Sequence, residues 1–243
     1  MPDPAYDTIG LNYADLRRPD PRIAALIECA LGGAETVLNV GAGTGSYEPS
    51  GRSVTALEPS ATMIAQRPVG AAPAIQGHAE ALPFPDDSFD AAMAVLTVHH
   101  WSDQPQGLRE LRRVARGPVA VLTFDPLARP WLTDYLPELS VLDEAQMPAI
   151  GDYARHLGPV DIQPVPVPRD CSDGFLYAYW ARPAAYLDPR IRTGSSSFWK
   201  LPAAQAGLAR LERDLASGAW HERYGHLLEQ DALDVGYRLI VTR

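Results

Sequence analysis

Residues 37–45 read VLNVGAGTG, a short apolar run that passes straight into Gly41, Gly43 and Gly45. Such a run, stopped by glycines, predicts a buried β-strand followed by a turn whose bare backbone can approach a ligand. Open α/β sheets bind ligands at the carboxyl ends of their strands, so the glycines mark one end of a sheet as the working end. A second short run, SVTALEPS, ends at Glu58 and Pro59. A carboxylate at that strand end can accept hydrogen bonds from both hydroxyls of a ribose. The glycines alone also suit a plain strand-to-helix turn; Glu58 is what adds chemistry.

The flanking segments extend the pattern. In DPRIAALIECALGG, Asp20 can cap a helix, Pro21 suits its first position, Ile23, Leu26, Ile27, Ala30 and Leu31 form one apolar face, and Gly32 and Gly33 stop it. A helix over 61–66, a strand over 74–76, a strand over 89–96, a helix over 104–115 and a strand over 119–124 follow. Strands alternating with helices predict an α/β fold, a parallel sheet covered on both faces. In VDIQPVPVP, Pro164, Pro166 and Pro168 are two apart, so their missing N–H donors lie along one side of a strand. Such a strand pairs on its other side only and is an edge. The closing run DVGYRLIVTR lacks proline and alternates, so it can sit inside the sheet.

Composition narrows the class of function. A chain of 243 residues with 46% apolar and 21% charged residues can build one large globular domain, read here as 1–243. Its net charge of −9 opposes nucleic-acid backbones and anionic bilayers. The longest apolar run, 175–181, is far shorter than a membrane span, and the start MPDPAYDTIG lacks the form of a secretory signal, so no membrane partner and a cytoplasmic protein are expected. Cys29 and Cys171 form no CxxC pair, and the adjacent His99 and His100 lack metal-ligand spacing; neither a disulfide framework nor a metal site is predicted. Twelve of the 20 aromatic residues fall in 127–232, which suits an apolar cap or pocket wall.

A dinucleotide site is the competing reading of the glycines. It requires a small third residue where Ser46 stands, then a full helix whose N-terminus holds pyrophosphate. Only 12 residues separate Gly45 from Glu58, and Pro49 and Gly51 interrupt them. Little more than one helical turn fits there, which disfavours a nicotinamide-dependent oxidoreductase.

GAGTG, LEPSATMI, GHAEALPFPDDSFD and MAVLTVHHW together resemble the class I S-adenosylmethionine-dependent methyltransferases, of the small-molecule type related to the ubiquinone-biosynthesis enzymes. The resemblance covers residues 6–125. It implies a Rossmann-like seven-stranded, mostly parallel sheet with an antiparallel last strand (234–243) inserted beside the proline-marked edge strand near 160–168. It also implies an N-terminal lid over 1–20, a cofactor-binding core over 21–125 and a helical, aromatic-rich substrate cap within 127–232. The implied cofactor is S-adenosylmethionine and the implied partner a small, partly apolar methyl acceptor.

Carried over by residue, Gly41, Ala42 and Gly43 face the methionine part of the cofactor, Glu58 holds the ribose with Pro59 beside it, and Met63 packs on adenine. Ala79 offers its N–H to adenine, with Glu80 next to it, and Leu96 offers its carbonyl to the ammonium. Tyr13 and an arginine, Arg18 or its neighbour Arg17, reach the cofactor's carboxylate from the lid. Two positions depart from the family pattern: Asn39 stands where an acidic residue is usual, and His78 replaces the usual Asp, keeping a possible contact to the adenine amino group. These departures leave open a binding protein that keeps the fold without catalysis.

His99 and His100 follow the fourth strand and are the candidates for a general base, with packing under Trp101 as the structural alternative. Trp101, Trp131, Tyr179, Trp180 and Trp199 are the candidate acceptor-binding residues. SDGFLYAYWARP starts at a good cap and stops at Pro183, which predicts a helix. RELRRVAR reads as a solvated helix face, and Leu208, Leu211 and Leu215 before Gly218 as a structural amphipathic helix.

Overall fold

The computed structural model describes residues 16–201 and 204–243; Tyr13 and most of the expected lid lie outside the described residues. Helix α1 (Pro21–Ala30) begins as its sequence predicts, with the Asp20 carboxylate accepting from the Arg22 N–H and Pro21 at the first position. Ile23, Ile27 and Leu31 are buried, whereas Leu26 is 38% exposed because it falls at the margin of the 3.6-residue stripe.

The sheet comprises β1 (Thr36–Val40), β2 (Ser53–Glu58), β3 (Ala74–Gln76), β4 (Ala91–Val95), β5 (Val119–Phe124), β6 (Val160–Pro164) and β9 (Tyr237–Thr242). Its order is β3-β2-β1-β4-β5-β9-β6, a seven-stranded Rossmann-like sheet. The first five strands are parallel, and β9 runs antiparallel to both β5 and β6. Successive side chains alternate between two cores. Val37, Met93, Leu122 and Leu239 face α1 and the cap, while Leu38, Ala92, Val121 and Ile240 face the opposite side. That second face is covered by Leu108, Leu111 and Val114 of α3 (Gln104–Val114), which follows α2 (Ala61–Ala65), and by Tyr153 and Leu157. Burial on both faces is why the strands read as nearly continuous apolar runs.

The edge strand differs from expectation beyond Pro164. Among the described residues β6 pairs on one side only, with β9, and the Val165 N–H still donates to the Tyr237 carbonyl at 2.9 Å. The chain then leaves the sheet. Val167–Pro168 (β7) pairs with Ala232–Leu233 (β8) in a separate ribbon. Val167 is fully buried and its carbonyl accepts from the Trp180 indole at 2.8 Å, so burial in the cap overrides a straight strand through Pro168.

The cap contains α4 (Leu132–Tyr135), α5 (Glu138–Gln146), α7 (Pro189–Arg192), α8 (Ser196–Trp199), α9 (Ala204–Ser217) and α10 (Ala219–Tyr224), whereas α6 (Tyr153–Leu157) packs against α3 on the opposite face. The expected helix over 172–182 is instead a chain of tight turns, with Ala178 N–H bonded to the Phe175 carbonyl and Arg182 N–H to that of Tyr179. The capping side chain is diverted: Asp173 pairs with Arg17 at 2.6 Å and accepts from the Tyr47 hydroxyl at 3.0 Å. No helix among the described residues is long and apolar enough to cross a membrane.

Candidate functional site

The glycine turn after β1 adopts left-handed backbone at Gly41 (φ +69°), Gly43 (φ +51°) and Gly45 (φ +98°). A Cβ at Gly41 would lie 2.0 Å from the Thr97 hydroxyl oxygen, so the turn can sit this close to the end of β4 only without a side chain. The Gly41 and Ala42 N–H groups both donate to the Leu57 carbonyl, which locks the turn onto β2. From Gly45 to the start of β2 the chain makes turns and bends, so no helix N-terminus follows the glycines.

Glu58 closes β2 and is buried. Its Oε2 accepts the Gly43 N–H at 2.8 Å and its Oε1 the Ser60 N–H at 3.0 Å. One acceptor position per oxygen is thus used, and the remainder can serve a pair of hydroxyls. Burial pushes this carboxyl above its ordinary value, against the opposing effect of those two N–H groups and of the nearby Arg67 and His78. Ser60 also caps α2, accepting the Met63 N–H at 3.2 Å, which sets Met63 beside the turn. Below the turn, Asn39 donates to Glu48 at 3.3 Å, and Glu48 pairs with Arg67 at 2.6 Å. The acidic group absent at position 39 is therefore present one side chain away, neutralised by an arginine that also donates to the Gly43 carbonyl.

At the end of β4, Leu96 is left-handed (φ +52°), a conformation that costs a branched residue about 1–2 kcal/mol and persists where the surroundings fix it. Its N–H is held by the Leu122 carbonyl at 2.8 Å. A single 3-10 turn, Val98–His100, follows, with the two imidazole rings 3.9 Å apart. Burial pushes His99 well below its ordinary value, with the charges of His100, Lys200 and Arg17 acting the same way, so its imidazole is neutral at pH 7. Glu80 receives the Ser102 and Asp103 N–H groups and the Ser102 hydroxyl. Although burial alone would raise it, these bonds leave its carboxyl below the ordinary range.

Two adjoining cavities open at this sheet end. The larger, about 200 Å³, is lined by Gly41, Ala42, Gly43, Glu58, Pro59, Met63, His78, Ala79, Glu80 and Leu96, which brings ten of the twelve expected cofactor residues together. Of the other two, Tyr13 lies outside the described residues and Arg18 is exposed. Arg17 lines the cavity in place of Arg18, drawn inward by its ion pair with Asp173. The smaller cavity, about 50 Å³, shares Arg17, Leu96 and His100 with the larger one and adds His99, Phe124, Asp143, Phe175, Tyr177 and Tyr237.

Of the expected acceptor-binding residues, the structure brings Trp101 to the cavities at the sheet end and places the other four elsewhere. Trp101 lines the larger cavity, and its ring lies over Gly107 of α3. Trp131 and Trp180 are buried in the cap and line neither cavity; the Trp131 indole donates to the Trp180 carbonyl at 2.9 Å. Tyr179 packs edge-on to Tyr186 with Arg182 over its ring, and Trp199 is 46% exposed; neither lines a cavity at the sheet end. Indole and phenol groups that find partners inside the cap hold the cap together. The aromatic walls come instead from the end of β5, the start of β9 and the 172–182 turns. Their position follows from the sheet order, but Asp143 gave no sequence signal beyond its place in an ordinary helix.

Residues 38–119 match the family described as "Methyltransferase domain". The ubiquinone/menaquinone biosynthesis C-methyltransferase of Hahella chejuensis is 43% identical over 58 residues, 23% of this chain and 23% of that protein. The malonyl-[acyl-carrier protein] O-methyltransferase of Erwinia pyrifoliae is 42% identical over 91 residues, 35% of each. These stretches thus span about a quarter to a third of the curated relatives. A crystal structure described as a putative methyltransferase from an antibiotic biosynthesis pathway of Anabaena variabilis superposes with a TM-score of 0.87 at 35% identity, covering 94% of this chain and 99% of that one.

Proposed function

Since the chain belongs to the S-adenosylmethionine-dependent methyltransferase family, we propose that it transfers the methyl group of that cofactor to a small, partly apolar molecule held under the cap. The observation that carries this reading is Glu58, whose two oxygens are each fixed by one backbone N–H in the lining of a glycine-walled cavity. The residues present fit the cofactor. Glu58 has acceptor capacity left for the ribose hydroxyls, the turn at Gly41 leaves no room for even a Cβ, and Met63 and Ala79 offer an apolar bed for adenine. Gly41 to Gly43, Leu96 and Arg17 would border the amino-acid end, with Arg17 matched to a carboxylate in shape and charge.

When bound, S-adenosylmethionine supplies an electrophilic methyl on a sulfonium. The chain's own work is alignment and exclusion of water. Phe124, Phe175, Tyr177 and Tyr237 wall the adjoining cavity and exclude solvent there. His99, neutral at pH 7, borders that cavity and can take a proton from an acceptor that arrives protonated. His100 borders both cavities and serves as its neighbour at the junction. We include in this reading the division into a cofactor-binding part over 21–125 and an acceptor cap within 127–232, a cytoplasmic location, and a substrate other than nucleic acid, supported by the −9 net charge.

The test is incubation with methyl-labelled S-adenosylmethionine and a panel of small phenols, amines and carboxylates, following label into product and release of S-adenosylhomocysteine. Transfer to one class supports the reading. Cofactor binding with no transfer to any class supports a non-catalytic binding protein instead.

A further inference from the structure

Asp143 is 1% exposed on α5 and borders the smaller cavity. Its Oδ2 accepts the Tyr177 hydroxyl at 2.8 Å, while its Oδ1 has no hydrogen-bond partner among the described residues. A buried carboxylate oxygen with no protein partner gives up solvation unless a water or a ligand group in the cavity donates to it, so such groups are rare and call for an explanation. The cap does not need a carboxylate at this point to hold Tyr177, since any acceptor would do.

We propose that Asp143 docks a phenolic hydroxyl of the methyl acceptor, which donates to Oδ1; this rests on the methyl-transfer reading above. The surroundings select the chemistry. Phe124, Phe175, Tyr177 and Tyr237 make the wall largely aromatic, with Phe124 stacked on Tyr177 at 4.8 Å and Phe175 edge-on to Tyr237 at 4.6 Å, and Ser195, Ser196 and Ser197 also line the cavity. Arg17 borders the cavity, and its charge and that of Lys200 act on His99. With a cofactor sulfonium next door as well, a neutral hydroxyl is a better donor here than an ammonium. The cavity's 50 Å³ holds about one or two waters, which is the size of a polar group rather than of a ring. The ring of the acceptor therefore extends past Leu96 and His100 toward the larger cavity, where the methyl is delivered. Asp143 is a positioning and specificity residue, distinct from the proton acceptor His99.

The experiment compares phenol, anisole and toluene as ligands of the full chain by ligand-observed NMR titration, after calorimetry has established S-adenosylhomocysteine binding to the same sample. Phenol is expected to bind at least about tenfold more tightly than anisole or toluene, one hydrogen bond to a charged group. Asp143→Asn, which keeps the shape and a partner for Tyr177 but can present an NH₂ donor in place of Oδ1, is expected to erase that preference and leave S-adenosylhomocysteine affinity unchanged. Equal binding of the three ligands to the wild type, no phenol binding at millimolar concentration, or a preference retained in Asp143→Asn overturns the assignment. The wild-type comparison decides even where the variant does not fold. Absence of S-adenosylhomocysteine binding, by contrast, would overturn the methyl-transfer reading itself.

Discussion

Gly41 and Thr97 are packed so closely that the glycine is the joint between β1 and β4: a Cβ on the first would lie 2.0 Å from the hydroxyl oxygen of the second. Gly41 and Thr97 both line the larger cavity, so their contact forms part of its wall.

Gly41→Ala is expected to destabilise the fold by roughly 2–5 kcal/mol, about 1–2 from the left-handed backbone and the remainder from overpacking. Gly51 is the control. It has φ +77° and open space within 4 Å of where a methyl would sit, so Gly51→Ala should cost the backbone part alone. Urea denaturation measures both. Combining Gly41→Ala with Thr97→Gly should cost less than the sum of the two single changes, since the smaller residue makes room for the methyl.

For the proton acceptor, His99→Asn is expected to lower turnover on a protonated acceptor about a hundredfold to ten-thousandfold while leaving cofactor affinity nearly intact. An ordinary histidine would place the pH fall-off near 6.5. Burial moves it lower: His99 stays neutral, and therefore able to accept a proton, as pH drops through that range. A pH–rate profile whose acid limb lies below the ordinary histidine value of about 6.5 is the expected outcome. An acid limb that disappears in His100→Asn and persists in His99→Asn would move the role to His100.

Asp143 links the cap to pH. Burial raises its carboxyl from 3.8 to about 6, against the lowering effects of the Tyr177 hydroxyl and Arg129. The native state therefore binds this proton more tightly than the unfolded chain does. Its contribution to stability is complete below the unfolded value of 3.8 and is lost as pH rises through about 6. Relative to wild type, Asp143→Asn should gain up to about 3 kcal/mol in stability between about pH 4 and pH 7, by urea denaturation at each pH. A difference that stays constant across that range would contradict the raised value.

The working end of the sheet was legible because its residues are specified locally. VLNVGAGTG needs glycine at three left-handed positions, Glu58 sits where β2 stops, and Pro164 forbids pairing on one side. The cap was not legible for the opposite reason. In 172–182 the spacing of Phe175, Tyr179, Leu176 and Trp180 is helical, yet Asp173 is claimed by Arg17 and Tyr47, residues more than 120 positions away. In α5 the pattern is inverted: Val141 is exposed while Asp143 shares the inward face with Leu139, four residues earlier. A scan that assigns valine inward and aspartate outward misses the carboxylate that borders the smaller cavity. The same holds for Arg17 and Arg18, identical in type, which the ion pair to Asp173 tells apart.

Calorimetric titration with S-adenosylhomocysteine, on wild type and on Glu58→Ala, tests the central assignment most directly. Glu58 holds the Gly43 and Ser60 N–H groups as well as offering acceptors to a ribose, so its loss removes both the contact and the support of the turn. Saturable binding to the wild type, weakened about tenfold to a hundredfold in a folded Glu58→Ala, with no binding of NAD to either, is the predicted result; the range corresponds to about 1.5–3 kcal/mol for hydrogen bonds to a charged group. Failure of the wild type to bind S-adenosylhomocysteine, or unchanged affinity in the folded variant, would contradict it.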